Sequence, residues 1–537
     1  MSRSSLARSP SPSAFVTLSG VAARTPDGRT LFDNLNLSLG RERTGIVGRN
    51  GTGKTTLLDL IAGDRAPAEG HVARHGSIAR LRQDAGAVPG QTVAGVLGVE
   101  AARARLARIL AGEGTAEDLA DADWTLETRL AEALTFVGLD GLSLEREAAT
   151  LSGGERTRLE LAALELAGAE LILLDEPTNH LDAEGRALVA ERLSRWPGGA
   201  VVVSHDRALL RHMDRIVELS PLGATVYGGN YDLYAERKAM ERAAAEHDLT
   251  VAESAVARTA AEAQRRAESK ARRDRAGRRK GAKGDMPKML RDFRAETAEN
   301  SAGHDARLAA RQAAEAEQTL MAARERVERV RRMTLPLPPT GLAAGRQVLN
   351  LQGVRVDGEN RPRVGPVDLR LTGPERVAIT GPNGSGKTTL LDLIAGRTIP
   401  SAGTVERSVP MALLDQHAGL LRDDETLIEA WQRLNPDGTL NDAQAALARF
   451  LFRNVEAHKR VDTLSGGERL RAALACVMTG TRPPQLLVLD EPTNHLDLDA
   501  IEAVEVALAA WDGALVVVSH DRDFLEAIGI EREVRLG

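Results

Sequence analysis

Two lysines mark where this chain can do chemistry. Lys54 sits in the octapeptide GRNGTGKT, Gly48 to Thr55, and Lys387 in GPNGSGKT, Gly381 to Thr388. Glycines at this spacing let consecutive backbone N–H groups turn inward around phosphate oxygens, a helix opening behind them adds the positive end of its dipole, and the lysine meets the outer phosphates. One phosphate cradle is thereby assigned to Gly48, Asn50, Gly51, Gly53, Lys54, Thr55 and Thr56, and a second to Gly381, Asn383, Gly384, Gly386, Lys387, Thr388 and Thr389. The Thr55 and Thr388 hydroxyls suit the Mg²⁺ that accompanies a nucleoside triphosphate such as ATP. One glycine-rich loop would say little; two complete copies in one chain say a great deal.

A second set of residues supplies what hydrolysis needs. The apolar runs Leu171 to Leu174 and Leu486 to Leu489 end on Asp175 and Glu176, and on Asp490 and Glu491. Asp175 and Asp490 suit Mg²⁺, and Glu176 and Glu491 suit polarising the attacking water. A buried carboxylate pair can also be structural, but the carboxyl end of a strand is where α/β sheets bind their ligands. His205 and His520 each lie 29 residues beyond the glutamate and follow the run VVVS. A lone histidine would be bland; a register-matched pair points to the same site twice.

Particular elements must hold these groups. Thr44 to Val47 and Arg376 to Thr380 read as short strands running into the glycine loops, each with an apolar helix-forming run behind. Together with the continuous apolar strands before the carboxylates, they give an α/β fold class with parallel strands. The two modules are copies: GKTTLLDLIAG recurs at an offset of 333, TLSGGER at 313, and LDEPTNHLD and VVVSHDR at 315. Four matched blocks in the same order set the organisation. Residues 1–13 form a disordered N-terminal tail, 14–231 and 341–537 two P-loop ATP-binding modules, and 232–340 a long helical hairpin between them.

The hairpin is read from composition. Between Gly229 and Gly277 there is neither glycine nor proline, so one long helix is expected, breaking at Gly277, Gly281 and Gly284 before a second from Lys288 to Met333. From Arg265 to Arg294 there are 13 Lys or Arg against four acids, a net +9 in a chain of net −6. Arg272, Arg273, Arg275, Arg278, Arg279, Lys280, Lys283 and Lys288 at this tip suit the backbone of a polyanion, which arginine and lysine neutralise without demanding sequence. RNA, DNA and a merely solvated, self-repelling tip are all open at this point. The rest of the composition is that of a globular protein, 42% hydrophobic and 27% charged. A single cysteine, Cys476, excludes a disulfide framework and a cysteine-held cluster. No apolar run approaches the ~18 residues of a membrane span, and no signal-peptide core is visible, so a cytoplasmic location is expected.

The residues resemble the ATP-binding cassette family. LSGGE at Leu151 to Glu155 and Leu464 to Glu468 is similar to its signature motif. The resemblance implies that Ser152, Gly153 and Gly154, and Ser465, Gly466 and Gly467, bind ATP held by the opposite cassette. It also places Gln83 and Gln416 as Q-loop ligands near Mg²⁺, Asp182 and Asp497 as D-loop aspartates, and His205 and His520 as switch histidines. By the same resemblance the two cassettes close head to tail within a monomer around two ATP molecules. EPTNHLD in both cassettes, the exit GGNYDLYAERK and the turn KGDMPKM further resemble the ABC-F subgroup. That likeness implies an ATPase that binds the ribosome (rRNA) in its ATP-closed state and modulates translation or protects from ribosome-targeting antibiotics. The alternatives are the ATPase subunit of a transporter, with a permease partner, and a DNA-handling ATPase. Ribosome-recycling relatives are excluded by the missing iron–sulfur cysteines. From Lys54 to Ser152 is 98 residues and from Lys387 to Ser465 is 78, a surplus expected within Glu100 to Arg129 as a short arm or a longer surface loop. The family's adenine-stacking aromatic is missing: Pro26 and the neighbourhood of Val356 stand at those places.

Overall fold

Strands that are apolar on both faces build the centre of each cassette. A computed structural model describes residues 14–81, 90–179, 181–221, 223–281, 310–311, 313–323, 337–358, 362–415 and 418–537. The first cassette contains β1 (Val16–Arg24), β2 (Thr30–Leu39), β3 (Arg43–Val47), β4 (Glu69–Arg74), β5 (Ile78–Leu81), β6 (Leu171–Asp175), β7 (Gly199–Val203), β8 (Arg215–Ser220) and β9 (Gly223–Gly228). The order β5-β6-β7-β3-β8-β9 makes a six-stranded sheet, parallel except for β9, and β2-β1-β4 make a separate antiparallel sheet. Every residue of β6 and β7 is buried, as expected of strands covered on both sides.

The second cassette repeats the plan with β10 (Gln347–Asp357), β11 (Pro362–Thr372), β12 (Arg376–Thr380), β13 (Ala402–Arg407), β14 (Met411–Leu414), β15 (Leu486–Asp490), β16 (Ala514–Val518) and β17 (Arg532–Arg535). Its parallel sheet runs β14-β15-β16-β12-β17 and its antiparallel sheet β11-β10-β13. One apolar cluster, centred on Trp431, Phe450, Phe452, Trp511 and Phe524, fills the helical side of this sheet, and another packs the antiparallel sheet against its opposite face.

The helices of the first cassette are α1 (Lys54–Ala62), α2 (Val93–Val96), α3 (Glu100–Leu110), α4 (Ala116–Ala120), α5 (Leu126–Phe136), α6 (Gly153–Ala167), α7 (Ala183–Arg195) and α8 (Arg207–Leu210). Beyond the cassettes runs α9 (Tyr231–Gly281), 51 residues, about 75 Å at ~1.5 Å per residue. It passes through Gly277, where the sequence suggested a break. A lone glycine costs a helix only about 1 kcal/mol, and its neighbours are strong helix formers. Residues 310–311 and 313–323 are helical as well. The described residues divide into two compact units, the cassette pair and residues 234–332. Arg272 and Arg275 are exposed on α9, and Arg273, Arg278, Arg279 and Lys280 lie along it. Lys283 and Lys288, the turn itself and the N-terminal tail lie outside the described residues. Among the described residues no helix is long and apolar enough to cross a membrane.

The second cassette opens its helices with α10 (Lys387–Ala395), α11 (Leu427–Leu434) and α12 (Leu440–Arg449). Threonines at helix starts locate the surplus residues of the first cassette. Thr92 and Thr125 precede α2 and α5 and are 33 residues apart; Thr426 and Thr439, preceding the matching α11 and α12, are 13 apart. The whole surplus of 20 is therefore α3, α4 and their turns, a helical arm and not a loop. No residue of α3 is buried, so the arm is braced by polar contacts. Arg108 pairs with Asp118, Thr115 and Asp118 form a capping box on α4, and Arg103 reaches Glu145 at 3.2 Å. The Asp118 carboxyl is pulled down to about 2 by the Arg108 guanidinium and the Thr115 N–H.

Candidate active site

Each phosphate loop leaves an interior strand of its parallel sheet, β3 or β12, and ends on a helix, α1 or α10. The turn needs glycine where loop becomes helix. Gly53 and Gly386 cap these helices at φ 94° and 90°, and a Cβ on Gly386 would lie 2.1 Å from the Arg363 carbonyl oxygen. Both lysines are buried and bend back over their loops. Lys54 Nζ donates to the carbonyls of Gly48 (2.7 Å) and Arg49 (3.2 Å), and Lys387 Nζ to those of Gly381 (2.8 Å) and Pro382 (3.0 Å). Burial pushes the pKa of both ammonium groups down, against the pull of Glu176 and of Glu491 respectively.

The carboxylates arrive where the sequence placed them. Asp175 and Asp490 end β6 and β15 and are buried. Burial pushes each up, while the hydroxyl of Thr55 or Thr388 pulls it back. Among the described residues no group of three or more His, Cys, Asp or Glu side chains is arranged to hold a metal ion by itself. One buried carboxylate beside one hydroxyl at the foot of a phosphate loop fits a Mg²⁺ ion completed by substrate oxygens and water.

Glu176 and Glu491 adopt left-handed backbone, φ 48° and 46°, which few non-glycine residues do. Their N–H groups are held by the carbonyls of Val203 and Val518, both at 2.9 Å, so each strained strand end is held in place by its neighbour in the sheet. Burial raises the pKa of both, Glu491 to about 7. His205 Nε2 lies 3.3 Å from Glu176 Oε1, and His520 Nε2 3.5 Å from Glu491 Oε1. Burial, then Lys54, holds His205 well below its usual range; burial, then Lys387, lowers His520 to about 4. Both imidazoles are neutral at pH 7.

One set of contacts that cross from one cassette to the other runs between phosphate loops and D-loops. Asp182 accepts from Gly185 N–H through Oδ1 (3.0 Å), capping α7, and from Asn383 N–H in the opposite loop through Oδ2 (3.0 Å). Ser152 and Ser465 open α6 and α13 (Gly466–Met478) through reciprocal capping boxes with Glu155 and Glu468, which leave Gly153, Gly154, Gly466 and Gly467 in the first turns. Asp497 repeats the part of Asp182, accepting from Ala500 (2.9 Å), where it caps α14 (Leu498–Ala509), and from Asn50 (2.8 Å). The two N–H groups hold Asp182 below the usual carboxylate range although burial pushes it up. Ion pairs flank the crossing on one side: Arg207–Glu505 and Arg211–Asp523, both at 2.8 Å, with Arg211 also 2.9 Å from Asp232.

A cavity of about 420 Å³ lies at the second site, lined by Asn383, Lys387, Thr388, Asp490, Glu491 and His520 together with residues that sequence reasoning did not single out: Arg186, Arg363 and Asn494. Arg363 corrects one expectation. Val356 is a buried core residue, and it is Arg363, on the next strand, that borders the phosphate loop. Gln83 and Gln416 lie outside the described residues.

Comparison with known proteins agrees with this plan. A family model described as ABC transporter matches residues 32–179 and 364–494. The chain is 35% identical to the tylosin resistance ATP-binding protein TlrC of Streptomyces fradiae, over 95% of both chains. It is 32% identical to the ATP-binding protein Uup of Caulobacter vibrioides, over 96% of this chain and 77% of that one. Among solved structures, RNase-L Inhibitor aligns over 95% of this chain and 86% of its own with a TM-score of 0.59 at 20% identity. The archaeal ribosome recycling factor aABCE1, in complex with the stalk protein aP1, aligns over 96% and 87% with a TM-score of 0.58 at 18% identity. These two likenesses are of fold alone.

Proposed function

This chain belongs to the ABC-F family of tandem ATP-binding-cassette ATPases, and from that premise we propose that it acts on the ribosome, in the cytoplasm, to protect it from an antibiotic. ATP binding and hydrolysis come with the family. The finer reading is carried by one observation: the likeness to a protein named for tylosin resistance runs over 95% of both chains, with no large segment of either left over.

The chain's own residues divide the work as follows. Lys54 and Lys387 release their loop carbonyls and turn to the outer phosphates, while the loop N–H groups orient the phosphate chain. Thr55 with Asp175, and Thr388 with Asp490, would hold Mg²⁺, which would supply neutralisation of the charge developing on the phosphates. Glu176 and Glu491 orient the attacking water, and neutral His205 and His520 fix the position of those carboxyl groups. The signature serines and glycines face the same nucleotides from the other cassette. Because Asp182 and Asp497 each join a helix of one cassette to the phosphate loop of the other, a change in either loop is felt across the interface. The basic residues of α9 and of the basic stretch that follows it in sequence engage rRNA phosphates in the ATP-closed state, and hydrolysis resets the assembly.

The test is release of a drug. Ribosomes pre-loaded with labelled tylosin and passed over a filter should lose label when the protein and ATP are added, and keep it when ATP is withheld. Full retention of label with ATP present would rule out protection against this drug. An ATPase that neither binds ribosomes nor alters drug binding would return the reading to a transporter subunit.

A further inference from the structure

Of the residues lining the cavity at the second site, one charged group comes from the first cassette: Arg186, on α7. It stands four residues after Asp182, whose carboxylate both caps α7 and accepts from the opposite phosphate loop, so one helical face delivers both groups to the second site. The Arg186 side chain is only 18% exposed. Its Nε–H donates to the Leu181 carbonyl at 3.2 Å, and Nη1 is 3.4 Å from Asp206 Oδ2. Those two constraints hold a planar cation in the wall of a cavity it shares with Lys387, Thr388, Glu491 and His520. Its charge is felt there, favouring ionised Glu491 and neutral His520.

Among the described residues, the matching position at the first site carries no such group. The repeat offset of 315 sets Ile501 at the position of Arg186, and Ile501 is 2% exposed within the apolar cluster around Trp431 and Trp511. The two sites share the loop glycines and lysine, the carboxylates and the histidine, and Arg49 of the first loop stands where the second has Pro382; at the Arg186 position only the second site receives a cation across the interface.

The geometry points to Arg186 as a residue of the first cassette that contacts the terminal phosphate of ATP held by the second, with no counterpart at the first site. The inference rests on reading Lys387, Thr388 and Glu491 as a nucleotide site. A guanidinium fork matches phosphate oxygens and stays charged at any physiological pH. ADP lacks the terminal phosphate, so the contact separates ATP from ADP at one site only.

The experiment measures ATP and ADP binding to the full chain carrying Glu176→Gln and Glu491→Gln, with one site disabled at a time by Lys54→Ala or Lys387→Ala. With only the second site working, Arg186→Ile should weaken ATP roughly ten- to a hundredfold, the range for removal of a charged hydrogen bond, and move ADP by less than about threefold. Arg186→Lys should recover part of that affinity. With only the first site working, Arg186→Ile should move ATP by less than about threefold. Equal weakening of the two sites, or of ATP and ADP alike, would reveal a structural role and overturn the inference, as would no effect at either site. If the parent protein bound no ATP, the reading of the phosphate loops would fall first, and the inference with it.

Discussion

Asp182→Asn separates two jobs that one carboxylate does. In the native side chain Oδ1 caps α7 through Gly185 N–H and Oδ2 accepts from Asn383 N–H in the opposite phosphate loop, both at 3.0 Å. Asparagine caps helices about as well as aspartate, so the first job survives. The second does not, because an amide NH₂ then faces a backbone N–H, donor against donor. A hydrogen bond to a charged group is worth about 1.5–3 kcal/mol. Asp182 is half-buried, and discounting for solvent leaves about 1–2 kcal/mol, a five- to thirtyfold cost if the crossing contact belongs to the active arrangement. ATP turnover of Asp182→Asn should fall by that factor with Tm nearly unchanged. Asp182→Ala should show the same fall in turnover and also forfeit the cap, about 1 kcal/mol, lowering Tm by about 2–4 °C. Wild-type turnover in the asparagine variant would refute the role given to the crossing contact, and equal Tm decreases in the two variants would refute the capping argument.

Two further outcomes are expected. Glu176→Gln with Glu491→Gln should keep ATP binding and lower turnover by at least ~100-fold in a phosphate-release assay, because the phosphate cradle stays while the water loses its orienting group; wild-type turnover would remove both glutamates from the mechanism. Discrimination of ATP from GTP should be poor, under ~30-fold in competition binding. Among the described residues no Phe, Tyr or Trp lines the second cavity, and the planar group bordering its phosphate loop, Arg363, can stack on any purine. A stronger preference would mean that another group reads the base.

Much of the site was legible because each of its parts is a short block with its own physics. A glycine loop between strand and helix and an Asp–Glu pair after an apolar strand need no tertiary information to be recognised, and the repeat doubles each of them. What escaped depends on packing. The left-handed backbone of Glu176 and Glu491 follows from the hold of Val203 and Val518 on their N–H groups, contacts between strands far apart in sequence. Arg363 was missed because strand register, not residue spacing, decides which residue of a hairpin borders the loop. Arg186 left a signal that went unused: setting the two copies side by side puts arginine against isoleucine one turn after each D-loop aspartate. The helical arm was half visible, its surplus of residues countable and its form settled only by the threonines that open α2 and α5.

The most direct measurement of the central claim is a sucrose gradient. The double Glu→Gln protein, mixed with ribosomes and ATP, should travel with them. The same protein with Arg278, Arg279, Lys280 and Lys283 changed to Glu should travel less, most visibly at low salt, and its log affinity should depend less steeply on log salt, by just under one unit for each phosphate no longer neutralised. Its ATP binding in solution should be unchanged. Equal co-sedimentation of the two proteins would remove the basic tip from ribosome binding, and no co-sedimentation of either would contradict the ribosomal reading itself.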